Sequence, residues 1–165
     1  MSETHYEGGC ACGAVRYRVE GAPIFVNNCH CTLCQRQTGS TSVVNAFYET
    51  ERFKLVSGEL TVNVVPAGSG KPHEIHRCAR CGTAIFSHYP RLGALGLGLR
   101  VGTLDTPGAM PPDAVIFTAN KMPWVGLPDG VPAFEQTYNP ADLLPPERMA
   151  RLKALADKAR AIQSA

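Results

Sequence analysis

Polarity changes too quickly along most of this chain for long helices. From Gly13 to about Tyr138, short apolar runs alternate with turn residues. Ala14-Val15-Arg16-Tyr17-Arg18-Val19 alternates with a period of two and sets Val15, Tyr17 and Val19 on one face, which predicts a half-buried strand. Further strands are predicted at 43–48, 53–56, 60–65, 74–77, 84–88, 95–101 and 114–118, with a turn at Gly58-Glu59 and a loop over 66–72. Residues 1–9 read as a short lead-in. Leu95-Gly96-Leu97-Gly98-Leu99-Arg100-Val101 puts apolar side chains on one face and glycines on the other. That pattern fits close approach by a neighbouring group, and tight sheet packing is favoured over a ligand contact.

Only the C-terminus reads as helical. Pro145-Pro146-Glu147 suits a first turn, and Met149, Leu152, Leu155, Ala156, Ala159 and Ile162 recur at helical spacing. Arg148, Arg151, Lys153, Lys158 and Arg160 lie between them and read as a solvated face. The apolar stripe has to pack on this domain or on a second copy, as in a homodimer.

Composition agrees with a globular, mainly β chain. The 165 residues are 44% hydrophobic and 18% charged, with 16 Gly and 13 Pro. No stretch approaches the roughly 20 apolar residues of a membrane helix. Met1-Ser2-Glu3-Thr4-His5-Tyr6 lacks the regions of a signal peptide, so the expected address is cytoplasmic.

Seven cysteines change the picture. An odd number in a reducing compartment argues for metal rather than a disulfide framework. They fall into Cys10-Ala11-Cys12, Cys29-His30-Cys31-Thr32-Leu33-Cys34 and Cys78-Ala79-Arg80-Cys81. The simplest partition is four plus three. Cys29, Cys31 and Cys34 are close enough in sequence to share one ion, which leaves Cys10, Cys12, Cys78 and Cys81 as a closed set. Four thiolates describe a structural zinc site, whereas three leave a coordination position open for water or substrate. Gly82 supplies the conformational freedom that the turn after Cys81 needs. Seven thiolates and two Zn²⁺ would turn the formal charge of +2 into −1, so the weakly basic composition is no sign of nucleic-acid binding. His30 is expected at the surface or behind the ligands, because neighbours on an extended chain point apart. His76 is expected as a strand residue, and His5, His73 and His88 have no ligand-like context.

At these motifs a resemblance emerges. Gly9-Cys10-Ala11-Cys12-Gly13-Ala14-Val15-Arg16-Tyr17 is similar to the opening motif of the glutathione-dependent formaldehyde-activating enzyme family, which includes the centromere protein V branch. Cys29-His30-Cys31-Thr32-Leu33-Cys34-Gln35-Arg36-Gln37-Thr38-Gly39 resembles its central motif. Ser69-Gly70-Lys71 leading to Cys78-Ala79-Arg80-Cys81-Gly82 resembles its third. Gly102-Thr103-Leu104-Asp105 and Lys121-Met122-Pro123-Trp124-Val125 resemble later signatures. The resemblance covers about residues 5–138. It implies a mainly β, Mss4-like β-tent of short antiparallel sheets around zinc. It also implies Cys10, Cys12, Cys78 and Cys81 as a structural zinc site and Cys29, Cys31 and Cys34 as catalytic zinc ligands. The chain then divides into a zinc-binding formaldehyde-activating-enzyme-like domain, 1–140, and a helical extension, 141–165.

The activity so implied is that of a zinc-dependent carbon–sulfur lyase acting on a small thiol or a thiol–aldehyde adduct. Glutathione plus formaldehyde, giving S-hydroxymethylglutathione, is the reaction of the best-known member. Two other classes fit the same cysteines: a zinc-stabilised binding module presenting Arg16, Arg18, Arg77, Arg80 and the basic helix, and a thiol redox sensor. With 7% aromatics and no interleaving of aromatic and basic residues, a nucleic-acid partner is not expected. Trp124 and the glycine-rich 95–101 segment are candidate walls for a substrate pocket.

Overall fold

The computed structural model describes residues 4–164, so Met1–Glu3 of the N-terminal stretch lie outside the described residues. The elements run β1 (His5–Gly9), β2 (Arg16–Glu20), β3 (Phe25–Cys29), α1 (Thr32–Thr38), β4 (Val43–Glu49), β5 (Phe53–Ser57), β6 (Leu60–Pro66), β7 (Pro72–Cys78), β8 (Ala84–His88), β9 (Gly96–Arg100), β10 (Ala114–Ile116) and α2 (Pro146–Gln163), with short 3₁₀ turns between some of them. The fold is mainly β with a C-terminal helix, as the sequence pattern predicts.

Two sheets form. A three-stranded sheet has the order β1-β2-β5, and a seven-stranded sheet the order β10-β3-β4-β9-β8-β7-β6. The larger sheet is mixed rather than purely antiparallel, because β10 runs parallel to β3. More than eighty residues separate these two strands, so no hairpin constrains their direction. The predicted Val15–Tyr17–Val19 face is buried as expected and joins Ile85, Phe86, Leu97 and Leu99 of the larger sheet in one core. Aromatic contacts tie the sheets together there. Tyr17 stacks on Phe53 at 5.2 Å between centroids, and Phe53 meets Phe86 edge-on at 4.8 Å.

Three local expectations need correction. The supposed lead-in is β1, whose glycines lack the apolar signal of a strand but pair in full register with β2. β3 also went unpredicted, since Phe25-Val26-Asn27-Asn28-Cys29 carries two asparagines that disfavour strands in general. The stretch after Cys31 is a short helix, α1, too brief to show an apolar period.

α2 packs Leu152 and Leu155 against Ile24, Leu92 and Leu144 and also buries Ala159, so its stripe packs on its own chain. Two of its supposedly solvated arginines are anchors. Arg148 Nε donates to Ile24 O at 2.5 Å, and its guanidinium pairs with both oxygens of Asp113. Arg151 forks onto Glu49 at 2.8 and 2.6 Å.

Candidate metal centre and adjoining cavity

The four-cysteine group is built from two tight turns. In the first, Gly13 N donates to Cys10 O at 3.1 Å, and in the second Gly82 N donates to Cys78 O at 2.9 Å. Gly13 and Gly82 both sit at φ 75°, a conformation costly for other residues. The Sγ atoms of Cys10, Cys12, Cys78 and Cys81 lie within 4.8 Å of one another. Cys10 Sγ is 3.4 Å from Cys12 Sγ, and Cys12 Sγ is 3.9 Å from Cys78 Sγ. Tetrahedral Zn–S bonds of about 2.3 Å require sulfur–sulfur edges of about 3.8 Å, so this donor set fits the ion. Val15 N donates to Cys10 Sγ at 3.2 Å, the kind of bond that stabilises a thiolate. The Thr83 hydroxyl beside Cys81 Sγ, with backbone N–H groups, holds that thiol down to about 5. Cys10 follows the end of β1 and Cys78 ends β7, so the cluster joins one sheet to the other.

The three-cysteine group is local. Cys29 ends β3, Cys31 caps the N-terminus of α1 by accepting from Cys34 N at 3.4 Å, and Cys34 lies in the first turn. Their Sγ atoms also lie within 4.8 Å of one another. The neighbouring thiols concentrate negative charge on Cys31. Bonds from Cys29 and Cys34 push its pKa down to about 2, the bond to Cys31 pushes Cys29 up to about 12, and bonds to Cys29 and Cys31 raise Cys34. Three soft sulfur donors suit zinc, and with no further ligand-type side chain joining them among the described residues, they would leave one tetrahedral position open. His30 is buried and lies outside both sulfur groups, so of its two expected places, at the surface or behind the ligands, only the surface is excluded. The strand-to-helix turn breaks the extended geometry on which its surface placement rested.

The three cysteines border a cavity of about 520 Å³. Its other walls come from distant segments. Phe25 and Phe47 stack at 4.3 Å, Phe47 meets Tyr89 at 5.4 Å, and Tyr89 stacks on His73 at 4.3 Å, giving a continuous row of rings. Leu33, Leu92, Ile116 and Phe117 add apolar surface. Phe117 has φ 57°, an unusual conformation for a bulky residue, which costs about 1–3 kcal/mol and is characteristic of functional sites.

Cavity residues that the sequence reading missed include Asn27, Asn45 and His73. Asn27 and Asn45 face each other in the β3–β4 register and are both buried. Tyr138 OH donates to Asn27 Oδ1 at 2.8 Å, and the Arg100 guanidinium donates to Asn45 Oδ1. Alternation along β4, with Asn45 and Phe47 on one face, was the available signal. His73 is fully buried, and burial, with Arg100 close by, lowers its pKa to about 4, so its ring is neutral at pH 7.

The glycine strand supports this wall from behind. A Cβ at Gly98 would lie 2.9 Å from Tyr89 Cε2 and 3.4 Å from Phe47 Cε1. Tight packing is therefore the role of that strand, which does not itself line the cavity. Trp124 is 74% exposed and is neither a cavity wall nor a packing anchor.

Arg100 is buried, and its hydrogen-bond partners are neutral. It donates to Gln37 Oε1 at 3.0 Å, Ser87 Oγ at 2.7 Å, Tyr89 OH at 3.3 Å and the Asn45 amide. It thereby ties α1 to β4 and β8, and sets a cation behind the cavity wall.

The family model for glutathione-dependent formaldehyde-activating enzymes matches residues 5–120, and the chain belongs to that family. A Halomonas elongata protein provisionally named for the same activity is 31% identical over 127 residues, which is 73% of this chain and 80% of that one. A solved Rhodobacter sphaeroides protein aligns with a TM-score of 0.46 at 22% identity, over 60% of this chain and 87% of the other. Among the described residues, no helix is long and apolar enough to cross a membrane.

Proposed function

We propose that this chain is a zinc-dependent carbon–sulfur lyase that makes or breaks the bond between a small thiol and an aldehyde. In this reading Cys29, Cys31 and Cys34 hold the catalytic ion, and Cys10, Cys12, Cys78 and Cys81 hold a structural one. The observation that carries the assignment is position: all three sulfurs of this group border the apolar cavity, while of the other four only Cys81 reaches a hollow, a second one that is polar and more open.

Zinc bound by three thiolates would lower the pKa of an incoming thiol and hold its sulfur. The chain's own residues supply the rest. The ring row and the aliphatic wall exclude water, so a thiolate there keeps little solvation. Asn27 and Asn45 have their carbonyl oxygens occupied, which leaves their N–H groups to meet an aldehyde oxygen. In the addition direction the sulfur attacks the carbonyl carbon, a C–S bond forms, the π pair moves to oxygen, and the thiol proton ends on that oxygen. Elimination reverses each step. Glutathione and formaldehyde are the pair that the family name supplies. Seven cysteines gathered into two metal-type groups rather than disulfides fit a reducing, cytoplasmic setting.

NMR exchange spectroscopy tests the reading. Zinc-loaded protein should speed exchange between formaldehyde and small thiols above the uncatalysed rate, and Cys31→Ser should remove the gain. No gain with any of a panel of small thiols would reject the assignment.

A further inference from the structure

The cavity beside Cys29, Cys31 and Cys34 is large enough for a drug-sized molecule, so its volume alone does not select a substrate. Its chemistry does. Outside the sulfur group itself, Arg91 is the only described lining residue with a charged side chain, and Arg91 is solvent-exposed. No aspartate, glutamate or lysine lines the walls. His73 is fully buried and stacked on Tyr89.

A peptide thiol such as glutathione carries two carboxylates and an ammonium group. Bringing these against the row Phe25–Phe47–Tyr89 would strip their water with no opposite charge for the ammonium outside the sulfur group and with a single exposed cation for both carboxylates. Buried charge without a partner is strongly disfavoured. The same row suits an aromatic ring, which stacks or meets edge-on at the spacings already present between its members. The N–H groups of Asn27 and Asn45 are neutral donors, suited to a carbonyl or hydroxyl oxygen. Phe117, held at φ 57°, contributes a further ring from outside the sheet.

We propose that this cavity selects substrates whose bound portion is uncharged and aromatic or branched-alkyl, so that the thiol partner is a small apolar thiol rather than a charged peptide thiol. This inference rests on the thiol–aldehyde reading of the same site.

Isothermal titration of zinc-loaded protein with benzyl mercaptan, benzyl alcohol and glutathione separates the two. Benzyl mercaptan should bind at least tenfold more tightly than glutathione. Phe47→Ala should weaken it about tenfold, while Phe47→Leu, which keeps apolar bulk, should lose less. Should Phe47→Ala fail to fold, the comparison of the three ligands on the unaltered protein decides alone. Glutathione binding as tightly as benzyl mercaptan would overturn the selectivity and leave the thiol reading standing. Benzyl alcohol binding as tightly as benzyl mercaptan would support the apolar cavity and overturn the thiol reading. Failure of both benzyl compounds to bind would overturn the inference.

Discussion

Replacing Cys78 and replacing Cys31 should have opposite consequences, and the structure says why. Cys78 ends β7 in the seven-stranded sheet, and its partners Cys10 and Cys12 follow β1 in the other sheet. An ion there would close a link across 66 residues between Cys12 and Cys78. Structural zinc binding releases about 10–16 kcal/mol in small zinc domains. Losing even a quarter of that, about 2.5–4 kcal/mol, is a large share of a typical stability of about 5–15 kcal/mol. For a chain of this size, it corresponds to a fall of roughly 10 °C in Tm. Cys31 differs in both respects. Its group spans six residues of one strand–helix turn, and its Sγ serves as the cap of α1. Serine is among the preferred residues at that cap, so Cys31→Ser keeps the hydrogen bond while removing a ligand. Its stability change should stay within about 1 kcal/mol. Differential scanning calorimetry of the two zinc-loaded variants, with thiol–aldehyde exchange measured alongside, provides the comparison. Equal falls in Tm, or a larger fall for Cys31→Ser, would refute the division into a link between sheets and a local reactive group.

Other expectations follow from the surrounding geometry. Gly98→Ala places a Cβ 2.9 Å from Tyr89 Cε2, so it should cost about 1–3 kcal/mol in urea unfolding and weaken cavity ligands by displacing that ring. Arg100→Met leaves Asn45, Ser87 and Gln37 without their shared donor, and should destabilise by about 2–3 kcal/mol in the same assay while loosening α1 by hydrogen exchange. Burial raises the Glu49 pKa, but Arg151 outweighs it and holds the carboxyl below its usual range. The contribution of this pair to stability is therefore present at neutral pH and lost as pH falls through that lowered value. The stability gap between wild type and Arg151→Met should shrink towards zero at acid pH, and a gap that holds constant would contradict the pairing.

Much of the strand pattern was legible because a period of two survives wherever one face is buried. Val15, Tyr17 and Val19 show this. β1 and β3 escaped because glycine and asparagine hide that period, and their pairing is set by neighbours far along the chain. The sulfur groups were legible because ligand spacing is local: Cys29, Cys31 and Cys34 lie within six residues. The cavity was not, since Phe25, Phe47, Tyr89 and His73 meet only after β3, β4 and the strand ends converge. Trp124 illustrates the opposite error, in which an uncommon residue type drew attention that its exposed position does not support. Arg148 and Arg151 illustrate a third. Their helical spacing suggested a solvated face, while their acceptors, Asp113 and Glu49, come from other elements.

The central claim is that the three-cysteine group holds a metal ion with a position open to a thiol. Zinc-edge X-ray absorption on purified protein, combined with elemental analysis, tests it most directly. The account predicts two zinc ions per chain, falling to one in Cys31→Ser, and an average sulfur coordination that rises when a small apolar thiol is added to the unaltered protein. Two ions whose sulfur coordination does not change with thiol, or an unaltered zinc content in Cys31→Ser, would contradict it.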